Sequence, residues 1–149
     1  MYRTEKEEFI IGAISLLSNK LTQFGDRLLP DITFKQWFLL MMISKMEAEE
    51  KNINLIADFV GSTRQNIKKM LIPLEAKGYV IVNKSDNDAR ALKVSLTEKA
   101  YKYFSENDAP TASAANQLFH LFSNAEIDNF VYNLQRLIDC LDIYSERKE

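Results

Sequence analysis

The spacing of apolar residues changes at Gly78, and this change limits the possible folds more than any other feature of the 149-residue sequence. Before Gly78, apolar side chains recur every three or four residues over Ile67–Leu74, which is the period of a helix with one buried face. After it, apolar residues alternate over Val80–Val82 and again over Leu92–Leu96, as in strands, with polar residues 84–90 between the two runs. The sequence therefore predicts a helix that ends at a glycine and is followed by a two-stranded hairpin.

Two helices are predicted upstream of this segment. An amphipathic pattern over Phe9–Phe24 predicts the first, and Pro30 ends it. Thr33, with Gln36 three residues later, predicts a capping box at the start of the second helix. That helix runs from Phe34 to about Met46 and is apolar nearly all round, which is typical of the buried centre of a domain.

A short helix and a turn come next. Asn54 is expected to cap a helix over residues 55–60, and Ser62 is expected to cap the helix that ends at Gly78. Small Ala57 is followed four residues later by Gly61 and six residues after that by apolar Ile67. A close helix contact, a left-handed turn residue and a locking apolar residue at this spacing are typical of a helix-turn-helix.

The C-terminal third predicts further helices. Thr97 is expected to cap a helix to about Glu106, Pro110 to interrupt or kink it, and Asn124 to cap the last helix. The predicted fold class is therefore mainly α with a small β-hairpin wing, in one domain over residues 1–149. One chain has too few other elements to cover the apolar faces of its first and last helices, which predicts a homodimer.

Charge distribution indicates the partner. The net charge is −2, yet residues 61–93 hold seven basic and three acidic side chains, a net charge of +4 that leaves −6 for the rest. A basic segment in an acidic chain indicates a local anionic partner, although chance clustering on a solvated face gives the same count. Gln65 and Lys69 lie opposite the apolar side of their helix, and such side chains suit base edges and phosphates.

We therefore predict an interface for double-stranded DNA on the second helix of the helix-turn-helix and on the hairpin tip. Its predicted residues are Ser62, Thr63, Arg64, Gln65, Asn66, Lys68, Lys69, Lys84, Asp88 and Arg90. The lysines are expected to contact phosphates, and Gln65 and Asn66 to contact bases. Arg90 is expected to enter a minor groove with its guanidinium held by Asp88; an ordinary surface salt bridge is the alternative.

Other classes of function find no support in the residues. The single cysteine excludes a disulfide framework and a cysteine-rich zinc site, and the only histidine, His120, has no partner set for a metal. No catalytic or phosphate-binding motif is present, so we expect no enzyme, cofactor or metal. The apolar stretches are too short for a membrane span and the N-terminus does not resemble a secretory signal, so we expect a cytoplasmic protein.

The sequence resembles the MarR family of bacterial and archaeal regulators from about Glu7 onward. The resemblance rests on Gln36-Trp37, Leu74-Glu75-Ala76-Lys77-Gly78-Tyr79-Val80, Asp88-Ala89-Arg90 and Val94-Ser95-Leu96-Thr97-Glu98-Lys99. It implies a homodimer with intertwined terminal helices, here about 5–28 and 98–147, and a winged-helix module over about 33–97. It also implies repression at a palindromic operator, relieved by a small ligand or by oxidation.

Two residues depart from the family pattern. Ala100 replaces a usual glycine, and Pro73 lies inside the predicted recognition helix, where it removes a hydrogen bond to a carbonyl and predicts a kink. We expect a small apolar or aromatic effector where the helices bearing Leu17 and Trp37 meet the DNA module. Cys140, on an apolar helix face, is expected to be an inert buried thiol. The alternative function is a winged-helix module that binds protein and not DNA.

Overall fold

Six helices and one two-stranded antiparallel sheet make up residues 1–146, the part of the chain that the computed structural model describes. In chain order they are α1 (Arg3–Leu28), α2 (Phe34–Lys45), α3 (Ile53–Val60), α4 (Arg64–Ala76), β1 (Val80–Lys84), β2 (Leu92–Leu96), α5 (Glu98–Phe119) and α6 (Asn124–Glu146). The predicted class, mainly α with a hairpin wing, is confirmed. Residue 147, the predicted end of the second terminal segment, lies outside the described residues.

The helix-turn-helix consists of α3 and α4, but the residues that cap the two helices differ from the prediction. Asn52, not Asn54, caps α3 and accepts a hydrogen bond from the Leu55 amide at 3.0 Å. Thr63, not Ser62, caps α4. The predicted turn residue is confirmed, because Gly61 has a left-handed φ of 66°.

The end of α4 and the start of α5 form one junction. Gly78 has a φ of 78°, and the Gly78 and Tyr79 amides donate to the Glu75 and Leu74 carbonyls at 2.9 Å each, which closes α4 in a Schellman motif. The Thr97 hydroxyl donates to the Gly78 carbonyl at 2.7 Å. The two longest stretches of the resemblance are therefore the two halves of this junction.

The wing, residues 80–96, has the predicted alternation. Val80 pairs with Leu96 and Val82 with Val94 in the antiparallel register. The wing is also attached to the chain before α3, because the Val94 amide donates to the Lys51 carbonyl at 2.7 Å. The sequence pattern did not reveal this third strand-like contact.

The core lies between α2, the helix-turn-helix and the wing. Its fully buried large side chains are Leu39, Leu40, Ile43, Ile56, Ile67, Leu74 and Val80. Ala100 is also fully buried, so the methyl group that departs from the family pattern packs inside this core. The apolar α2 is thus the centre of the module, as predicted.

The two internal prolines do not interrupt their helices. α4 continues through Pro73, and α5 continues through Pro110, so of the two alternatives at Pro110 the interruption is wrong. Ser123, not Asn124, caps α6, because its hydroxyl accepts from the Glu126 amide while the Glu126 carboxylate accepts from the Ser123 amide.

The chain packs as two units, one from Met1 to Asp108 and one from Ala109 onward, with the boundary inside α5. Cys140 in the second unit is exposed, so its predicted burial does not occur within one chain. No helix within residues 1–146 combines the length and the apolarity that crossing a bilayer demands.

Candidate nucleic-acid interface

The outer face of α4 presents most of the predicted contact residues to solvent. Ile67, Leu71 and Leu74 are buried against the core and orient the helix. The exposed residues of the opposite face are Arg64, Gln65, Asn66, Lys68, Lys69 and Ile72. Burial of one side therefore presents amide, basic and apolar side chains on the other, which is the composition that base and phosphate contacts need.

Ser62, Thr63 and Asn66 are bound to one another at the start of α4. The Thr63 hydroxyl accepts from the Asn66 backbone amide at 3.1 Å, and the Asn66 side-chain amide donates to the Ser62 hydroxyl at 2.9 Å. These three residues shape the turn, and Asn66 is less available to a base than predicted. Gln65 makes no side-chain hydrogen bond to the described residues, so its amide is available for a base edge.

The wing loop, residues 85–91, presents Arg90 differently from the prediction. The Asp88 carboxylate accepts from the Arg90 backbone amide at 2.9 Å and not from its guanidinium. The ion pairs of residues 1–146 include none between Asp88 and Arg90. Asp88 therefore shapes the backbone at the tip, and the Arg90 side chain is exposed to solvent.

A polar notch of about 260 Å³ lies between α4, the wing loop and the start of α3. Its lining includes Arg64, Lys68, Asp88, Arg90 and Asn54. Its three cationic side chains take part in none of the ion pairs that the described residues form. A concave site with unpaired cations and amide donors suits a phosphate group.

Two predicted lysines lie elsewhere. Lys69 and Lys84 are exposed but do not line the notch, so the structure does not bring them together with Arg64 and Arg90. Ile72, which sequence reasoning left out of the site, is 68% exposed on the outer face of α4. Its place seven residues after Gln65, two helical turns along the same face, is the sequence signal for it.

A larger, mainly apolar cavity of about 640 Å³ lies where α1 and α2 meet the helix-turn-helix. Its lining includes Leu17, Leu21, Phe38, Met70 and Asn66. Leu17 lines it as the predicted effector position requires, whereas Trp37 packs on the core and stacks on Phe34 at 5.5 Å. Because Asn66 belongs to both the cavity wall and α4, a molecule in the cavity would touch the helix-turn-helix directly.

A polar cluster fastens the turn after α1 to the end of α4. Asp31 accepts hydrogen bonds from the Tyr79 hydroxyl at 2.6 Å and, through its backbone carbonyl, from the Lys77 amine. The Lys77 amine also lies 3.3 Å from the Asp31 carboxylate as an ion pair. The hydrogen bond from Tyr79 and then the contact with Lys77 lower the pKa of Asp31 below its ordinary value of 3.8. Burial and the Asp31 contact raise the pKa of Tyr79, and burial raises the pKa of Tyr103 to about 12. The phenols are thus neutral donors at physiological pH.

Comparison with characterised proteins gives a consistent set of relatives. The HTH-type transcriptional regulator SarZ of Staphylococcus aureus is 32% identical over 123 residues, covering 79% of this chain and 77% of SarZ. The transcriptional repressor MprA of Escherichia coli is 26% identical over 128 residues, covering 85% of this chain and 73% of MprA. No family model matches the chain.

Solved structures share the fold. A MarR/EmrR family transcriptional regulator from Acinetobacter has a TM-score of 0.77 at 23% identity over 91% of this chain and 96% of its own. MepR in the S. aureus MepR–DNA complex has a TM-score of 0.76 at 21% identity, over 87% of this chain and 95% of the MepR chain. BpsR of Bordetella bronchiseptica has a TM-score of 0.73 at 15% identity, over 86% of this chain and 97% of its own. The DNA binding of BpsR is regulated by 6-hydroxynicotinic acid.

Proposed function

This chain belongs to the MarR family of winged helix-turn-helix transcriptional regulators, and from that premise we propose that it is a repressor that binds a palindromic operator as a homodimer. The observation that carries the proposal is the joint exposure of Gln65 on α4 and Arg90 on the wing, together with the cationic notch that Arg90 lines with Arg64 and Lys68 of α4. A winged module places its second helix in the major groove and its wing against the neighbouring minor groove. The notch then receives the phosphate backbone between them. Such a role places the protein in the cytoplasm, where the chromosome is.

The roles of the contact residues follow from their chemistry. Gln65 has a free amide that suits an adenine edge, and Arg90 suits the negative potential of a narrow, A·T-rich minor groove. Lys68 and Lys69 are point charges suited to phosphates, which raise the affinity for every DNA sequence. Ile72 suits the methyl group of a thymine.

The homodimer is supported by apolar side chains that one chain leaves in solvent. In α1, Phe9, Ile10 and Ile11 are at least about half exposed. In α6, Phe130, Val131 and Leu141 are similarly exposed. Many exposed apolar side chains on both terminal helices are unfavourable in water and favour pairing with a second copy. The same pairing would shield Cys140 on α6, and we propose that control does not depend on its oxidation.

The effector proposed for this repressor is a small apolar or aromatic molecule in the 640 Å³ cavity. Cavities of 300–1,000 Å³ with mainly apolar walls are typical of small-molecule sites. Since α1 and the helix-turn-helix both line this one, an occupant favours dimers with one particular separation of the two recognition helices. Release from the operator follows if that separation does not match the half-sites.

Three variants test the proposed roles by fluorescence anisotropy, with the upstream region of the protein's own gene and a random duplex at several salt concentrations. Lys69→Ala is expected to weaken both DNAs alike and to flatten the salt slope by about one unit. Gln65→Ala is expected to lose roughly 1–3 kcal/mol on the specific site only. Arg90→Ala is expected to lose the preference for A·T-rich flanks. If the ratio of affinity for the upstream region to affinity for random DNA is the same in all three variants as in wild type, these roles are refuted. If wild type binds neither DNA, the proposed function is refuted.

A further inference from the structure

The carboxylate of Glu50 contacts the wing although Glu50 itself lies in the loop between α2 and α3. It accepts hydrogen bonds from the Ser85 hydroxyl, from the Asp86 backbone amide at 3.3 Å and from the Asn87 side-chain amide at 3.5 Å. Three donors from consecutive wing residues thus converge on one side chain of another part of the chain. An ionised carboxylate has hydrogen-bond acceptors and no donor, so Glu50 matches these three donors better than any neutral side chain.

Ser85 extends this contact along the wing loop. It is the one polar residue of the wing that is buried, and its hydroxyl also accepts from the Asn87 and Asp88 backbone amides at 3.1 Å each. Asp88 in turn accepts from the Arg90 backbone amide at 2.9 Å. A continuous series of hydrogen bonds therefore runs from Glu50 to the backbone of Arg90.

The charge of Glu50 is unexpected at this place. A carboxylate beside the wing repels the phosphates of a bound duplex, so charge alone predicts that its removal strengthens DNA binding. Its hydrogen bonds predict that its removal weakens DNA binding. Without them the wing loop is free to move in the unbound protein, and ordering the loop when Arg90 enters the groove then costs conformational entropy. The two effects have opposite signs and can be separated by experiment.

We propose that Glu50 is a positioning residue for DNA binding, which orders the wing loop and thereby directs Arg90 into the minor groove. The inference rests on the proposed function. Glu50 touches no DNA itself in this arrangement; it acts through Ser85 and Asp88. Asp88 accordingly belongs with the residues that shape the wing loop and not with those that contact DNA.

The matched control is the adjacent residue. Glu49 lies in the same loop, is exposed, and makes no hydrogen bond or ion pair to the described residues. Glu49→Gln and Glu50→Gln remove the same charge at nearly the same place. Glu49→Gln is expected to bind the operator as tightly as wild type or slightly more tightly. Glu50→Gln is expected to bind about tenfold more weakly, the fold-change for loss of one hydrogen bond to a charged group.

A double-mutant cycle with Arg90→Ala distinguishes positioning of Arg90 by Glu50 from a general loss of folded structure in the Glu50→Gln variant. In the Arg90→Ala background Glu50→Gln is expected to change affinity less than about twofold, because its effect passes through Arg90. Ser85→Ala breaks the same series from the wing side and is expected to couple to Arg90 in the same way. If Glu50→Gln behaves like Glu49→Gln, or costs as much without Arg90 as with it, the inference is wrong.

Hydrogen exchange of the free protein supplies a readout that needs no DNA. Glu50→Gln is expected to speed exchange at the amides of residues 86–90 and to leave the paired amides of β1 and β2 unchanged, whereas Glu49→Gln changes neither. Unchanged exchange at 86–90 in Glu50→Gln would overturn the inference, whatever the DNA result. Failure of the wild type to bind DNA would instead overturn the proposed function, while the exchange result would still decide whether Glu50 orders the loop.

Discussion

Replacing Gly25 by alanine tests how closely α1 approaches the start of α2. A Cβ atom at Gly25 would lie 2.1 Å from Cδ2, 2.5 Å from Cγ and 2.7 Å from Cβ of Phe34. Ring rotation cannot relieve the last of these contacts. The Phe34 backbone is also held, because its amide donates to the Asp26 carboxylate at 2.7 Å, and its ring stacks on Trp37 at 5.5 Å. The added methyl group must therefore push the two helices apart.

The magnitude follows from two opposing contributions. Glycine-to-alanine in a helix gains roughly 1 kcal/mol from propensity, and overpacking of a tight site costs up to about 3 kcal/mol. At Gly12, in the same helix, an added methyl group would meet no atom of the same chain within 4 Å, so within one protomer this position isolates the first contribution. We expect Gly12→Ala to be about 1 kcal/mol more stable than wild type and Gly25→Ala to be about 2 kcal/mol less stable.

Urea unfolding of the two variants and wild type at one protein concentration measures these differences, since the concentration of a dimer affects its midpoint. Equal stability of Gly12→Ala and Gly25→Ala would refute the close approach of α1 and α2. It would also weaken the proposed effector cavity, because Phe34 lines it.

Three further predictions concern the other parts of the molecule. Replacing one operator thymine by deoxyuridine removes a methyl group and should weaken binding by the wild-type protein. Binding by Ile72→Ala should not change with this replacement, and equal losses of affinity in both proteins would exclude the methyl contact. Asp31 has a lowered pKa, so its ionised form stabilises the fold above its ordinary pKa of 3.8 and less as the pH falls below it. The difference in melting temperature between wild type and Asp31→Asn should therefore be constant at neutral pH and shrink in acid; a constant difference throughout would contradict the cluster. Leu134→Glu combined with Leu137→Glu should give monomers or aggregates that lose DNA affinity, and light scattering that shows an intact dimer would refute pairing through α6.

Local patterns sufficed for most of the secondary structure. The spacing of Ala57, Gly61 and Ile67 indicated the helix-turn-helix, and the change of period at Gly78 indicated the wing. Both were readable because backbone conformation and burial of one face restrict which residue types stand at nearby positions. The cap positions were less well determined. Ser62 and Thr63 are both good capping residues, and sequence alone could not tell which of them adopts the extended backbone.

Contacts between distant segments were not predictable in this way. Glu50 and Ser85 are separated by 35 residues, and Asp31 and Tyr79 by 48, so no periodicity links them. Pro110 was expected to interrupt or kink a helix because it lacks an amide hydrogen. α5 nevertheless continues through it, so the local helix propensity of proline did not end the helix there. The exposed face of α4 could be predicted from the period of one helix, whereas the contact of Glu50 with the wing depends on the tertiary fold.

Selection of bound duplexes from a random-sequence pool, followed by sequencing, tests the central claim most directly. A homodimer with one recognition helix per half-site is expected to enrich an inverted repeat whose half-site centres are about 10 base pairs apart, with A·T-rich sequence where Arg90 meets the minor groove. Gln65→Ala, run in parallel, is expected to lose the preferred base at one position of each half-site. No enrichment over the starting pool, or enrichment of a single unrepeated site, would contradict binding as a sequence-specific dimer.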